Sequence, residues 1–356
     1  MVAVFRICAI VSLIFVGVIA CNNPPSSQSA LQTDLGNRGN SEVRNRFVDY
    51  RAKDQHCSNS GTGKRVLISG FGLFSGADFN ISGLIVEALA DSQLWPEETN
   101  LTTVTENIEL GEDRQLRNRS RLEADSKGAR TWQRTITIND KTVTLCLVHL
   151  EVLWDLAGAI AIYEASLFQP DMIVMMGRGG FESIIETGAL NEALTMSGFD
   201  GDGVPHSVNT PVGTGRRTPL ILPQDHPGIG SQIAMTWDAA ALKEAAEPWL
   251  EHLPFVSMRV APGPRSSNNY ICNNISFIVL NALRGNPVKL AGSTLIFDPT
   301  VTDFQATDNQ VIVPVSSALT DNQVTAGFLH LPYNADDSKA TVVGWARVVA
   351  AMITAN

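Results

Sequence analysis

Apolar residues are sparse between residues 22 and 62, and from Lys64 onward they recur in short runs. Arg65–Ser69 (RVLIS) has the continuous apolar character of a buried strand, and Asp171–Met176 (DMIVMM) has the same texture. Thr131–Ile138 and Lys141–His149 read as two strands joined by a turn at Asn139-Asp140. Phe255–Ala261, Ser293–Phe297, Val311–Val315 and Gly327–Leu331 are further strand candidates. Helical patterns cover the stretch after Ser82, which would cap it, then Asp155–Leu167, Ala239–Leu250, Ile271–Leu283 and Ser338–Thr354. Residues 93–130 are polar and predict a surface insertion, and residues 178–230 are rich in Gly, Pro and polar groups. Strands alternating with helices, with no internal repeat, predict an α/β sheet covered on both faces.

The first 62 residues follow a different pattern. Residues 1–20 carry one charge, Arg6, before an apolar run from Ile7 to Ala20. That run is short for a membrane span, which needs about 20 residues, and suits a signal-peptide core. It ends Val18-Ile19-Ala20-Cys21-Asn22, which resembles a bacterial lipobox. The resemblance implies that Cys21 becomes an acylated first residue, held on a bilayer in the bacterial cell envelope. Asn22 would direct it to the outer membrane, facing the periplasm or the exterior. Residues 21–62 read as a flexible tether and 63–356 as the folded domain.

Composition narrows the function classes. The 356 residues are 44% hydrophobic and 17% charged, ordinary for a globular protein, with a net charge of −10 and no basic block, so nucleic acid is not an expected partner. Five cysteines are too few for a disulfide scaffold of this length. No metal-ligand spacing or dinucleotide fingerprint is present, so the sequence implies no metal and no cofactor.

The cysteines are the place to look for chemistry. Cys57 falls in the tether, and Cys146 reads as a small buried hydrophobe within a strand. Cys272 follows a loop and opens an apolar helix, where the positive helix end favours a thiolate. A thiol nucleophile needs a base, and His330, in Gly327-Phe328-Leu329-His330-Leu331-Pro332, lies at the end of a strand just before a turn. His149 ends another strand and is equally well read as structural. Glu182, Glu186 and Glu192 all follow the strand DMIVMM, and spacing does not choose the one that would orient the imidazole.

Four motifs resemble the pyroglutamyl peptidase I (pyrrolidone-carboxylate peptidase) family of cysteine peptidases. Gly70-Phe71-Gly72-Leu73-Phe74 with Asn80-Ile81-Ser82 is similar to its G-F-x-P-F and N-P-S opening. Glu186-Thr187-Gly188-Ala189-Leu190-Asn191 is similar to E-R-V-A-x-N, Tyr270-Ile271-Cys272-Asn273 to Y-x-C-N, and the His330 segment to G-F-[IL]-H-[VIL]-P. They occur in family order across residues 65–332. The resemblance implies a divergent lipoprotein member with a three-layer αβα fold, a mixed, mostly parallel sheet (phosphorylase/hydrolase-like) and a Cys272–His330–Glu186 triad. It implies an exopeptidase acting on a peptide or small amide with an N-terminal pyroglutamyl or similar blocked residue. Phe71 and Phe74 would flank the lactam ring, and Asn80 would steady the loop. Leu73, Ile81, Thr187 and Asn268 depart from the family pattern. Arg178 stands near a position where many members carry glutamine, either reaching substrate or pairing with Glu182. Insertions are expected near 93–130, 200–250 and 285–325. A non-catalytic peptide- or ligand-binding lipoprotein on the same fold is the alternative.

Overall fold

The eight residues Lys64–Phe71 form β1, the strand from which the sheet extends on both sides. In the computed structural model the described residues are 43–72, 79–102, 128–194, 217–218, 230–251, 253, 256–262, 270–290, 293–307, 310–321 and 323–355. In chain order the elements begin with α1 (43–51), β1, α2 (Ile81–Ala90), β2 (Glu98–Thr99), β3 (Arg130–Ile138), β4 (Lys141–Leu150) and α3 (Leu156–Phe168). There follow β5 (Met172–Arg178), β6 (Ser183–Glu186), β7 (Gly188–Leu190), β8 (Ala193–Leu194), β9 (Arg217–Thr218), β10 (Gln232–Ala234), α4 (Ala239–Leu250) and β11 (Met258–Ala261). The chain continues through α5 (Ile271–Ala282), β12 (Val288–Lys289), β13 (Leu295–Asp298), β14 (Gln305–Ala306) and β15 (Val311–Pro314). It closes with α6 (Ser317–Asp321), β16 (Thr325–Leu331) and α7 (Lys339–Thr354).

The main sheet has eight strands in the order β11-β6-β16-β5-β1-β4-β3-β2. Its centre, β16-β5-β1-β4, is parallel. The flanks reverse, because β6 joins β16 antiparallel and β3 joins β4 antiparallel. Helices α2, α4 and α7 pack together on one face, and α3 and α5 on the other. The fold is therefore a three-layer α/β sandwich with a mixed, mostly parallel sheet. Burial from both sides explains why Val66–Phe71 and Met172–Gly177 are buried throughout and read as unbroken apolar runs. The β3–β4 hairpin turns at Asn139 and Asp140, both at positive φ (46° and 63°), as a tight two-residue turn requires.

Two expectations about these elements need correction, the cap of α2 and the end of the tether. Ser82 does not cap α2. Asn80 does, accepting from Ser82 N–H at 3.2 Å, while the Ser82 hydroxyl lies inside the helix and accepts from Phe71 N–H at 3.0 Å. The 285–325 insertion folds into a second sheet, β12-β13-β15-β14, followed by α6. The tether ends earlier than residue 62, because α1 packs on the body. Val43, Phe47 and Tyr50 are buried one helical face apart, with Phe47 edge-to-face on Tyr163 (5.9 Å) and on Phe297 (6.1 Å). The leader, Cys21 and residues 22–42 lie outside the described residues, as does most of the 93–130 insertion and much of the 200–250 one. Among the described residues no helix is long and apolar enough to cross a membrane.

Cys57 and Cys146 form a disulfide across 89 residues of sequence, so Cys146 is not a mere hydrophobe and Cys57 is not in a free tether. Beside it, the fully buried Glu164 of α3 accepts from Tyr50 Oη (2.8 Å) and from Cys57 N–H (2.8 Å), and its Oε1 lies 2.6 Å from His56 Nδ1. That carboxylate hydrogen bond is the leading reason the His56 pKa is raised. The two sulfurs lie within 4.8 Å of the Glu164 carboxylate, but each is bonded to the other and offers no thiolate to a metal. Removing the bond in a Cys57→Ser/Cys146→Ser double variant should lower stability by about 2–4 kcal/mol in denaturant titrations. Equal stability with and without the bond would mean that the Glu164 contacts alone fasten the segment.

Candidate active site

Register decides which side chains meet. β16 runs beside β5 with His330 opposite Gly177, and β1 runs beside β5 with Ser69 opposite Met175. Two residues further on, Phe71 stands level with Gly177, so His330, Gly177 and Phe71 share one face. β6 pairs Ile184 with His330, and Glu186, two residues on, points to that same face as a diagonal neighbour. These positions lie at the carboxyl ends of the parallel strands, where open α/β sheets place ligands. Helix α5 covers this face and brings Cys272 as its second residue, after Tyr270 at the N-cap.

The three side chains converge. Glu186 Oε1 lies 2.9 Å from His330 Nδ1, and both side chains are 3% exposed. Cys272, which is buried and not disulfide-bonded, lies close enough to His330 to raise its pKa. The close fit depends on glycine at 177, where a Cβ would lie 2.8 Å from Cys272 Sγ and 2.8 Å from Phe328 Cζ. Phe328 packs edge-to-face on the imidazole at 4.8 Å. The other Glu186 oxygen, Oε2, is buried with no hydrogen-bond partner among the described residues. Its acceptor strength is therefore directed largely at the imidazole. Asn274 N–H makes the first intrahelical bond of α5, to Tyr270 O at 3.0 Å. The amides of Cys272 and Asn273 precede it and are the kind of donors that can receive an oxyanion.

Burial by itself would pull the His330 pKa down. Charge and hydrogen-bond interactions with Cys272, together with the hydrogen bond and charge of Glu186, outweigh that and push it up to about 10. The arrangement thus sets the imidazole between the Cys272 sulfur and the Glu186 carboxyl group, with its proton held more tightly than usual. It can deliver a proton to one side while the sulfur attacks on the other.

No protein-family model and no curated protein matches the chain. Among solved structures, it is similar to pyroglutamyl peptidase I of Bacillus amyloliquefaciens, with a TM-score of 0.45 and 15% identity, covering 82% of this chain and 97% of that one. It is also similar to pyrrolidone carboxyl peptidase of Thermococcus litoralis, with a TM-score of 0.45, 15% identity, and 82% and 93% coverage. The Pyrococcus furiosus pyrrolidone carboxyl peptidase gives 0.43, 13%, 82% and 100%. The chemistry of this chain rests on its own side chains.

The remaining sequence candidates are placed as follows. Asn80 is buried, and its Nδ2 donates to Gly72 O at 3.0 Å, tying the start of α2 to the end of β1. Phe71 is buried in the core at the end of β1, and Phe74 lies outside the described residues. Arg178 does not take Glu182, whose carboxylate binds Arg259 at 2.8 Å. Its Nη1 donates to Phe79 O (2.9 Å), and its Nε (3.0 Å) and Nη2 (2.5 Å) donate to Tyr333 O. It also stacks over the Phe79 ring at 4.6 Å. Glu192 is buried, with its carbonyl bonded by Asn273 Nδ2 at 2.9 Å. His149 pairs with Glu87 of α2 at 2.9 Å on the opposite face of the sheet, the structural role open to it in the sequence. His206, His226 and His252 lie outside the described residues.

Sequence reasoning missed three supports. Trp237 Nε1 donates to the Glu186 carbonyl at 2.8 Å, and Gly327 makes room for that indole, since a Cβ there would lie 1.8 Å from the ring. Asn273, next to the candidate nucleophile, accepts from Leu190 N–H at 2.8 Å and fastens the strand after Glu186 to α5. The Asn273 of the Y-x-C-N-like motif and the Gly327 of the His330 segment were the available signals.

Cys272→Ala removes the sulfur's upward pull, so His330 should titrate well below about 10 in that variant by imidazole NMR. A folded-state pKa above the ordinary 6.5 adds stability that is full below about pH 6.5 and is lost as the pH rises through about 10. Wild-type stability should therefore fall more steeply across that window than that of Cys272→Ala. Identical His330 titration in both proteins would mean that the thiol and imidazole are uncoupled.

Proposed function

We propose that the protein is a cysteine-type amidohydrolase that removes an N-terminal pyroglutamyl or similar blocked residue, as a divergent relative of the pyroglutamyl peptidase I family. The observation that carries the reading is the convergence of Cys272, His330 and Glu186 from three separate elements at the carboxyl end of the sheet. The order of the four family-like motifs supports the substrate class.

Cys272 Sγ attacks the acyl carbonyl as a thiolate, its proton held by His330. The tetrahedral oxyanion forms against the amides at the start of α5. His330 passes its proton to the leaving amine, leaving a thioester that water then hydrolyses with the imidazole as base. Glu186 holds the imidazole by Nδ1, which leaves Nε2 for the sulfur and the leaving group. Asn80 and Arg178 brace the loops around the site through backbone carbonyls. Phe71 and Phe74 are assigned to the wall beside the blocked residue on the motif resemblance.

A fluorogenic pyroglutamyl amide beside an unblocked aminoacyl amide tests the reading. Cys272→Ala should abolish turnover and mildly acidic iodoacetamide labelling. His330→Ala should lose about 10²–10⁴ in rate and Glu186→Gln less, because the first loses the base and the second only its orienting charge. No turnover of either amide, with Cys272 unreactive, would instead favour a binding protein on the same fold.

We also propose that acylated Cys21 holds the domain on an envelope membrane. The Cys57–Cys146 disulfide supports this, since such bonds persist in oxidising compartments. Mass spectrometry of the membrane fraction should find Cys21 as an acylated first residue. A Cys21→Ser protein that remains membrane-bound would move the anchor elsewhere.

A further inference from the structure

Beside the candidate site, two aromatic rings stand out of the surface. Phe181 is 72% exposed and Tyr333 43%, the highest exposures among the large hydrophobic side chains of the described residues. Their rings meet edge to face at 4.7 Å. One follows β5 and the other follows β16, and the backbones beneath them are tied together. Tyr333 N–H donates to Gly180 O at 2.8 Å, Gly179 N–H donates to Leu331 O at 2.9 Å, and the Tyr333 carbonyl is gripped by Arg178. The pair is thus a fixed apolar ledge and not a loose loop tip, and an apolar ledge kept exposed beside a polar site is a mark of ligand contact.

Gly179, two residues before Phe181, lies against the imidazole. A Cβ at Gly179 would stand 3.5 Å from His330 Nε2 and 3.4 Å from Cδ2. Because residue 179 has no side chain, the space beside Nε2 is kept open on the side that leads, two residues on, to Phe181. Nε2 is the nitrogen that must meet the leaving amine.

Resting on the amidohydrolase reading above, we propose that Phe181 and Tyr333 form a subsite for the leaving-group side of the substrate. It takes an aromatic or large apolar side chain on the residue that follows the scissile amide. Both residues are positioning and specificity groups, with no part in the bond chemistry.

The test compares pyroglutamyl-phenylalanine amide with pyroglutamyl-glycine amide. Contact with two rings is expected to favour the phenylalanine substrate in kcat/KM by roughly two- to tenfold in the wild-type chain. In Phe181→Ala/Tyr333→Ala that ratio should fall toward one. The Tyr333 backbone bonds survive the change, and a thermal melt checks the fold. Calorimetric binding of the same two peptides to Cys272→Ala, with and without the two alanines, gives a readout independent of turnover. A phenylalanine preference in binding that the alanines abolish supports the subsite even if the wild-type chain hydrolyses neither peptide, in which case the hydrolase reading alone fails. Turnover with equal kcat/KM for both peptides, or a preference that survives both alanines, overturns the subsite and leaves the hydrolase reading standing. Neither turnover nor a binding preference overturns both.

Discussion

The buried contact between His330 Nδ1 and Glu186 Oε1 is the constraint around which the site is organised. Two ionisable groups removed from water are costly unless they face each other, and removing either partner would strand the other. Holding them 2.9 Å apart requires β6 to run against β16, so that a residue two positions past the paired Ile184 reaches back to the imidazole. It requires Trp237 to grip the Glu186 carbonyl, and glycine at 327 to let the indole in. It also requires glycine at 177, so that the sulfur of α5 can come down onto the sheet. The small residues near the site are therefore consequences of one close-packed charge arrangement.

A second buried carboxylate organises the other end of the molecule. Glu164 is satisfied by Tyr50, His56 and the amide of Cys57, all from the N-terminal segment. The disulfide to Cys146 on β4 fastens the same segment covalently. Helix α1 in turn fills the space between α3 and the small sheet, with Phe47 touching both Tyr163 and Phe297. The N-terminal segment is thus part of the folded body, and the insertion after α5 has a packing partner because of it.

Backbone carbonyls help to hold the rim of the site. Arg178 distributes its guanidinium between Phe79 O and Tyr333 O, joining the loop before α2 to the loop after β16. Asn80 ties the start of α2 to Gly72 O at the end of β1. A guanidinium with planar donors is suited to that task, since it can bond carbonyls of two segments at once.

The sequence by itself determined the layered α/β architecture, because apolar runs such as DMIVMM and the alternating hairpin around Asn139-Asp140 are local signals of burial and turn. It also singled out Cys272 at the start of a helix and His330 at the end of a strand, since both follow from local position. Val43, Phe47 and Tyr50 carried a helical spacing, but within a polar stretch its partners, on α3 and in the small sheet, are more than a hundred residues away. Only tertiary structure decided that Cys57 meets Cys146, that Arg178 binds carbonyls and not Glu182, and that Phe181 meets Tyr333. Spacing also left Glu182, Glu186 and Glu192 equivalent until motif likeness favoured one of them, and strand register then set Glu186 against the imidazole. The physical reason is common to these cases. A hydrophobic period reports which face of an element is buried, whereas a charge pair or a disulfide is fixed by which distant elements are brought side by side.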